Sequence, residues 1–346
     1  MSQPPTGVGT GVGSMPGTDP MQAAAVINGE LDFAHLAELP ARGIGADMIG
    51  RMSAILVDMP IDASTWGYRL GTRGSSVVRR ARGFLSADLD AVEEIWDTAG
   101  FIGTGRAVKV QAAGPFTLAS SIELTNGHRA IRDPGALRDL TDSAVEGVGT
   151  HIAEVRRRLG AEVTVQIDEP MIGAVLDGTV PPLTRLDVIP PLPIADVANA
   201  LASLAERIDA PIIIHNCGAP RWDLIARVPG VAHSVDVSAA TATTIGAAAL
   251  DAETLDGIGA LLDRGDVLVA GVVPAERERP GVRAETVATS LAAVIDRIGL
   301  SRKVLSEKAI VTPTCGLAGA SPRWATTALG ICAQVGELLA TDPDAL

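Results

Sequence analysis

Four residues near the ends of β-rich runs carry ligand chemistry. His215 and Cys217 stand two apart in PIIIHNCG (211–218), Asp236 lies near the end of AHSVDVS (232–238), and Cys315 lies in AIVTPTCGL (309–317). Successive side chains alternate across a strand, so residues two apart face the same way. An imidazole, two thiolates and a carboxylate make a tetrahedral zinc set, and two sulfurs favour zinc over magnesium or manganese. Singly, each residue also fits a core position, because a free cysteine packs as a small hydrophobe. Two of only three cysteines fall at the ends of strand-like runs, and that favours ligation. Cys332, inside the helical ATTALGICAQVGELLA, reads as core packing.

A second group offers binding chemistry. Asp168 and Glu169 end EVTVQIDEP (162–170), and adjacent carboxylates on a strand point to opposite faces. Asp168 is expected to face a pocket and bind an ammonium; a solvated loop pair or a helix cap is the plain alternative. Gly13 and Ser14, after Val12 in TGVGTGVGS (6–14), bring a backbone N–H and a hydroxyl that suit a carboxylate, although an ordinary turn explains them equally well. His233 reads as facing away from Ser234 and Asp236, and Arg79, Arg80, Arg82, Asp88 and Asp90 as a solvated helix face or loop.

These residues need a frame that gathers strand ends. Besides the five runs above, HLAELPAR (35–42), AVKVQAAGP (107–115) and DVLVAGVV (266–273) complete a series of eight. Helical spacing of apolar residues fills 136–159, 194–208 and 284–298. Strand alternating with helix eight times predicts a single (β/α)8 barrel over residues 1–346, with 1–5 and 341–346 frayed. The open doubly wound sheet is less favoured, because GVGTGVGS runs into Met15-Pro16-Gly17 and not into a helix. Residues 43–106 and the Pro-rich 171–193 follow strand ends and are expected on the active face.

Composition narrows the partners. Forty-one acidic against 28 basic residues give a formal charge of -13, which disfavours nucleic acid and anionic membranes. No run of 18 apolar residues predicts a membrane span, and the first 20 residues lack the basic and apolar regions of a secretory signal. A cytoplasmic protein with reduced thiols is expected. Only Lys109, Lys303 and Lys308 are lysine, which reads as genome composition.

GVGSMPG, GPFT, QIDEP, HNC, SVDVS and TPTCGL follow the order seen in the catalytic barrel of cobalamin-independent methionine synthase. From about Gly11 to about Leu339 the chain resembles the short, single-barrel members of that family, whose barrel is of the methionine synthase/uroporphyrinogen decarboxylase type. The resemblance implies zinc held by His215, Cys217 and Cys315, with Asp236 standing where the family has a ligand Glu. It implies homocysteine as acceptor, its amino group on Asp168 and its backbone on Val12, Gly13 and Ser14. Three family features are missing. Ser121 stands near the position of a folate-stacking Trp, ELPARG replaces an acidic H-G-E motif, and DVLVAGVVPAERE offers Glu276 and Glu278 where the family has a proton-donating His. The methyl donor, a corrinoid or a methylated folate, therefore stays open, and no catalytic residue is assigned beyond the metal site. Two other readings are carried: a non-catalytic zinc- or thiol-binding barrel, and a metal-free decarboxylase like the uroporphyrinogen enzymes.

Overall fold

Seven of the eight runs contain a strand of one parallel sheet in the computed structural model, which describes residues 3–71, 75–184, 188–241, 250–277 and 282–346, and the run 35–42 starts on the last residue of the eighth strand, Ala34–His35. The strands are β1 (Val8–Gly9), β2 (Ala34–His35), β3 (Ala107–Ala113), β4 (Glu162–Asp168), β5 (Ile212–His215), β6 (Ala232–Asp236), β7 (Leu268–Val273) and β8 (Ala309–Pro313). Sequence neighbours pair from β2 through to β8, and β1 pairs with β8. The remaining edge is closed by a parallel bridge between Ser14 and Glu38, where Glu38 N–H donates to the Gly13 carbonyl at 3.1 Å and Met15 N–H to the Glu38 carbonyl at 2.8 Å. The α/β fold is thus the expected eight-stranded barrel type.

Strand alternation sorts the side chains into two environments. Val163, Val165 and Ile167 of β4 face the outer helices. The barrel floor is a small apolar cluster of Phe33, Ile213, Ala232, Val267, Val269 and Ile310. Above it the buried interior turns polar, with Thr10, His35, Lys109, Gln111, Thr164, Gln166 and Thr312. The strands therefore bury apolar side chains outward and polar ones inward near the mouth.

The expected helices form at Pro134–Leu159, Ile194–Arg207 and Ala284–Ile298. Residues 43–106 differ from expectation. They contain the helices Met48–Ile55 and Ser76–Ala99 and an antiparallel hairpin, Ile61–Ser64 with Gly67–Leu70. Apolar residues on Ser76–Ala99, Val77, Leu89, Val92 and Trp96 among them, join the outer core, so this helix is scaffold and not a mouth loop. It ends at Gly100, whose φ of 73° is the left-handed conformation that glycine adopts without strain. Asp88 on this helix corrects the solvated-face reading: it is buried, with Arg42 bidentate on it at 2.8 Å and Arg51 at 3.0 Å. Arg79, Arg80, Arg82 and Asp90 are exposed as expected. Among the described residues no helix is long and apolar enough to cross a membrane.

Candidate metal centre

His215 is the last residue of β5, Cys217 follows two later, and Cys315 lies two residues past β8. Their ligand atoms all lie within 4.8 Å of one another. His215 Nε2 is 2.9 Å from Cys217 Sγ, and the two sulfurs are 3.1 Å apart, within hydrogen-bond distance. Ser234, opposite His215 in the register, sits 2.8 Å from Nδ1 and fixes the ring so that Nε2 faces the sulfurs. Asn216 turns the chain between the two ligands, its side-chain oxygen accepting from Gly218 N–H at 2.9 Å. Gly316 allows the third ligand to approach β1, because a Cβ there would lie 2.0 Å from Ser14 Oγ.

The Cys217 S–H and the His215 imidazole pull the Cys315 thiol down to about 4, against burial. The same sulfur contact, then burial, pushes Cys217 up. One imidazole and two unbridged thiols, one readily ionised, fit zinc. Tetrahedral coordination would set these atoms about 3.6 to 3.8 Å apart, so the observed cluster needs to open by less than about 1 Å.

Asp236, the fourth residue of the expected set, is exposed and lies outside the group. Its carboxylate accepts from Ser238 N–H at 2.8 Å. It shares with Cys217, Cys315, Glu276 and Arg277 an open cavity of about 380 Å³. Glu276 is exposed there, and Glu278 lies outside the described residues.

On the other side of the sulfurs is a cavity of about 220 Å³ lined by Val12, Gly13, Ser14, Glu38, Asp168 and the three ligands. All four residues expected to bind an amino acid line it. Asp168 is buried and accepts from Gln166 Nε2 at 2.7 Å. Burial pushes its carboxyl up to about 7, with Glu38 adding and His215, Gln166 and Lys109 opposing. Glu169 points the other way. It accepts from the Phe116 and Thr117 N–H groups at 3.0 and 2.8 Å and from Thr117 Oγ1 at 2.7 Å, so it caps the helix Pro115–Ser121. Ser121, near the family's Trp position, ends that helix.

Two residues here escaped the sequence reading. Glu38, within ELPARG, lines the pocket as a second carboxylate raised by burial, and Arg51 Nε lies 3.4 Å from it. Lys109 is wholly buried beneath the pocket. Its signal was a lysine inside an apolar strand, two residues before Gln111 and so on the same face.

The family described as "Cobalamin-independent synthase, Catalytic domain" matches residues 6–337. Among solved structures, a B12-independent methionine synthase from Shewanella sp. W3-18-1, in complex with selenomethionine, is similar at a TM-score of 0.61 and 13% identity, covering 100% of both chains. A GH113 β-1,4-mannanase follows at a TM-score of 0.43 and 12% identity, covering 95% of this chain and 99% of that one. At such identities the likeness to the Shewanella protein speaks for the fold alone. No curated protein matches the chain. The match over nearly the whole barrel makes this chain a member of the cobalamin-independent synthase catalytic-domain family.

Proposed function

We propose that the protein is a zinc-dependent methyltransferase that takes homocysteine, or a close thiol amino acid, as methyl acceptor in the cytoplasm. The observation that carries this reading is the convergence of His215, Cys217 and Cys315 at the edge of a pocket bearing two buried carboxylates and the Val12–Ser14 strand end. The Shewanella protein's complex with selenomethionine supports an amino acid in that pocket.

Zinc held by His215, Cys217 and Cys315 would supply one thing: it would favour the thiolate form of the acceptor sulfur. The chain does the rest by positioning. Asp168 and Glu38 receive the ammonium, and the Gly13 N–H and Ser14 Oγ receive the carboxylate. These contacts turn the acceptor sulfur toward the cysteines, and fixing that geometry is most of what methyl transfer needs. The new S–C bond forms as the donor's bond to the methyl breaks, and the departing group keeps the electron pair. The 380 Å³ cavity beyond the sulfurs is where the donor, a corrinoid or a methylated folate, approaches. Glu276 would hand a proton to the leaving atom there, and Asp236, in the same cavity as the two cysteines, would be the fourth protein ligand to the metal.

Zinc content and thiol binding test the reading together. Purified protein is expected to hold roughly one zinc per chain, and saturating homocysteine is expected to change the visible spectrum of a cobalt-substituted form. Metal-free protein that takes up no added zinc overturns it. The exposed Asp236 and the loss of the Trp and His favour one second reading, a thiol-binding barrel without turnover; methyl transfer from any folate, corrinoid or sulfonium donor rejects that reading.

A further inference from the structure

Lys109 lies on β3 with no exposed surface, and its Nζ donates to the Val12 carbonyl at 3.0 Å and to Gln166 Oε1 at 2.7 Å. With the Gln111 amide turned to satisfy both its neighbours, its oxygen accepts from Nζ at 3.1 Å. Three acceptors around one nitrogen call for three N–H groups, which only the ammonium form has. Among the described residues no carboxylate touches it, so its charge is not spent on an ion pair.

Two consequences reach the pocket above. The Val12 carbonyl accepts from both Lys109 Nζ and Gln166 Nε2, the latter at 2.8 Å. In a trans peptide the carbonyl and the following N–H point opposite ways, so the Gly13 N–H is turned away from Lys109 and Gln166, and Gly13 itself lines the pocket. It has no acceptor among the described residues, and a doubly polarised carbonyl makes it a stronger donor. The second consequence is charge balance. Lys109 acts on both Glu38 and Asp168 and offsets part of the negative charge of a cluster in which Asp47 and Asp88 also stand opposite Arg42 and Arg51. With that charge the pocket suits a zwitterion; without it the remaining carboxylates suit a cation.

We propose that Lys109 is a specificity-determining residue that makes this pocket select a zwitterionic thiol amino acid over a cationic aminothiol, by holding the Val12–Gly13 peptide open to a carboxylate and by cancelling one of the pocket's carboxylate charges. This deepens the acceptor reading above and rests on it.

The test compares homocysteine with 3-aminopropane-1-thiol, the same molecule without its carboxylate, by titration calorimetry on zinc-loaded protein. Wild type is expected to prefer homocysteine. In Lys109→Met, homocysteine affinity is expected to fall about 10- to 100-fold, as for loss of a charge-assisted hydrogen-bond network, while the aminothiol holds within about threefold or improves. Zinc content read on the same samples is expected to be unchanged. Equal losses for both thiols, or no loss for either, overturn the proposal. Gln166→Leu keeps the lysine charge but removes one support of the Val12 carbonyl, and an intermediate shift toward the aminothiol is expected. If Lys109→Met does not fold, an unshifted preference in Gln166→Leu overturns the proposal. Wild-type protein that binds neither thiol removes the acceptor reading itself, an outcome distinct from equal losses in the variant.

Discussion

The neighbouring strands β4, β5 and β6 present the same residue types, a carboxylate and a histidine, on opposite faces. Inside the barrel stand Asp168 and His215; outside, against the helices, stand Glu169 and His233. All four are buried. The outer pair is internally satisfied. Glu169 accepts three hydrogen bonds from the start of one helix, and His233 Nε2 meets the Val228 carbonyl at 2.9 Å. The inner pair keeps capacity in hand: among the described residues Asp168 accepts only from Gln166, and it lines the 220 Å³ pocket, while His215 aims Nε2 at the sulfurs. Burial alone does not mark function here. Buried polar groups normally have their partners, so the ones left with spare valence on a cavity are the ones that await a ligand.

The largest effect should come from the inner metal corner. Cys315→Ser removes one of two thiolates and is expected to drop zinc from roughly one per chain to near none after dialysis against a chelator, read by elemental analysis. Full zinc retention would break the inner reading at its centre. On the outer face, Glu169→Ala strands two helix N–H groups and a hydroxyl. A loss of about 2 to 4 kcal/mol in urea unfolding is expected, with homocysteine affinity of the folded protein unchanged. Asp168→Asn should do the reverse: about 30-fold weaker homocysteine binding by calorimetry, with zinc content and unfolding midpoint little changed. If both neighbours affect only stability, the division between faces is wrong.

The division was partly legible in the sequence because it follows from strand alternation. The eight strands were visible as short β-rich runs, and H-x-C marked two ligands as neighbours, although it is the turn at Asn216 past the end of β5, and not strand alternation, that brings Cys217 to His215. Cys315 came from the far end of the chain, and the barrel register is what brings it to Cys217. Asp236 obeyed the same alternation and lines the cavity beside Cys217 and Cys315, but it is exposed and its carboxylate accepts from Ser238 N–H, a local bend that spacing does not encode. Glu38 and Lys109 were missed for a different reason. Glu38 joins the site through the bridge to Ser14 that closes the barrel, and Lys109 is held by Gln166 of β4 and the Val12 carbonyl, 57 and 97 residues away. Such partners are far apart in sequence. Asp88 likewise read as a surface charge, because its arginines lie 46 and 37 residues away.

The smallest expected effect separates the two histidines. Burial drives the outer His233 down to about 4, against the pull of Val228 and Asp266, so it is neutral in the folded protein at physiological pH. In the unfolded chain it titrates near its ordinary value of 6.5. Below that value the unfolded state gains a proton that the folded state refuses, so acid favours unfolding until the folded group also titrates. Between pH 7.5 and 5.5 the wild type should therefore lose about 1 kcal/mol relative to His233→Gln, which keeps a donor for the Val228 carbonyl but cannot ionise. Urea midpoints at the two pH values measure the difference. Thiol affinity should be the same in both proteins at either pH, because His233 faces the helices. An equal pH slope in the two would mean that the outer histidine is solvated, and the contrast between a satisfied outer face and a waiting inner one would then rest on the carboxylates alone.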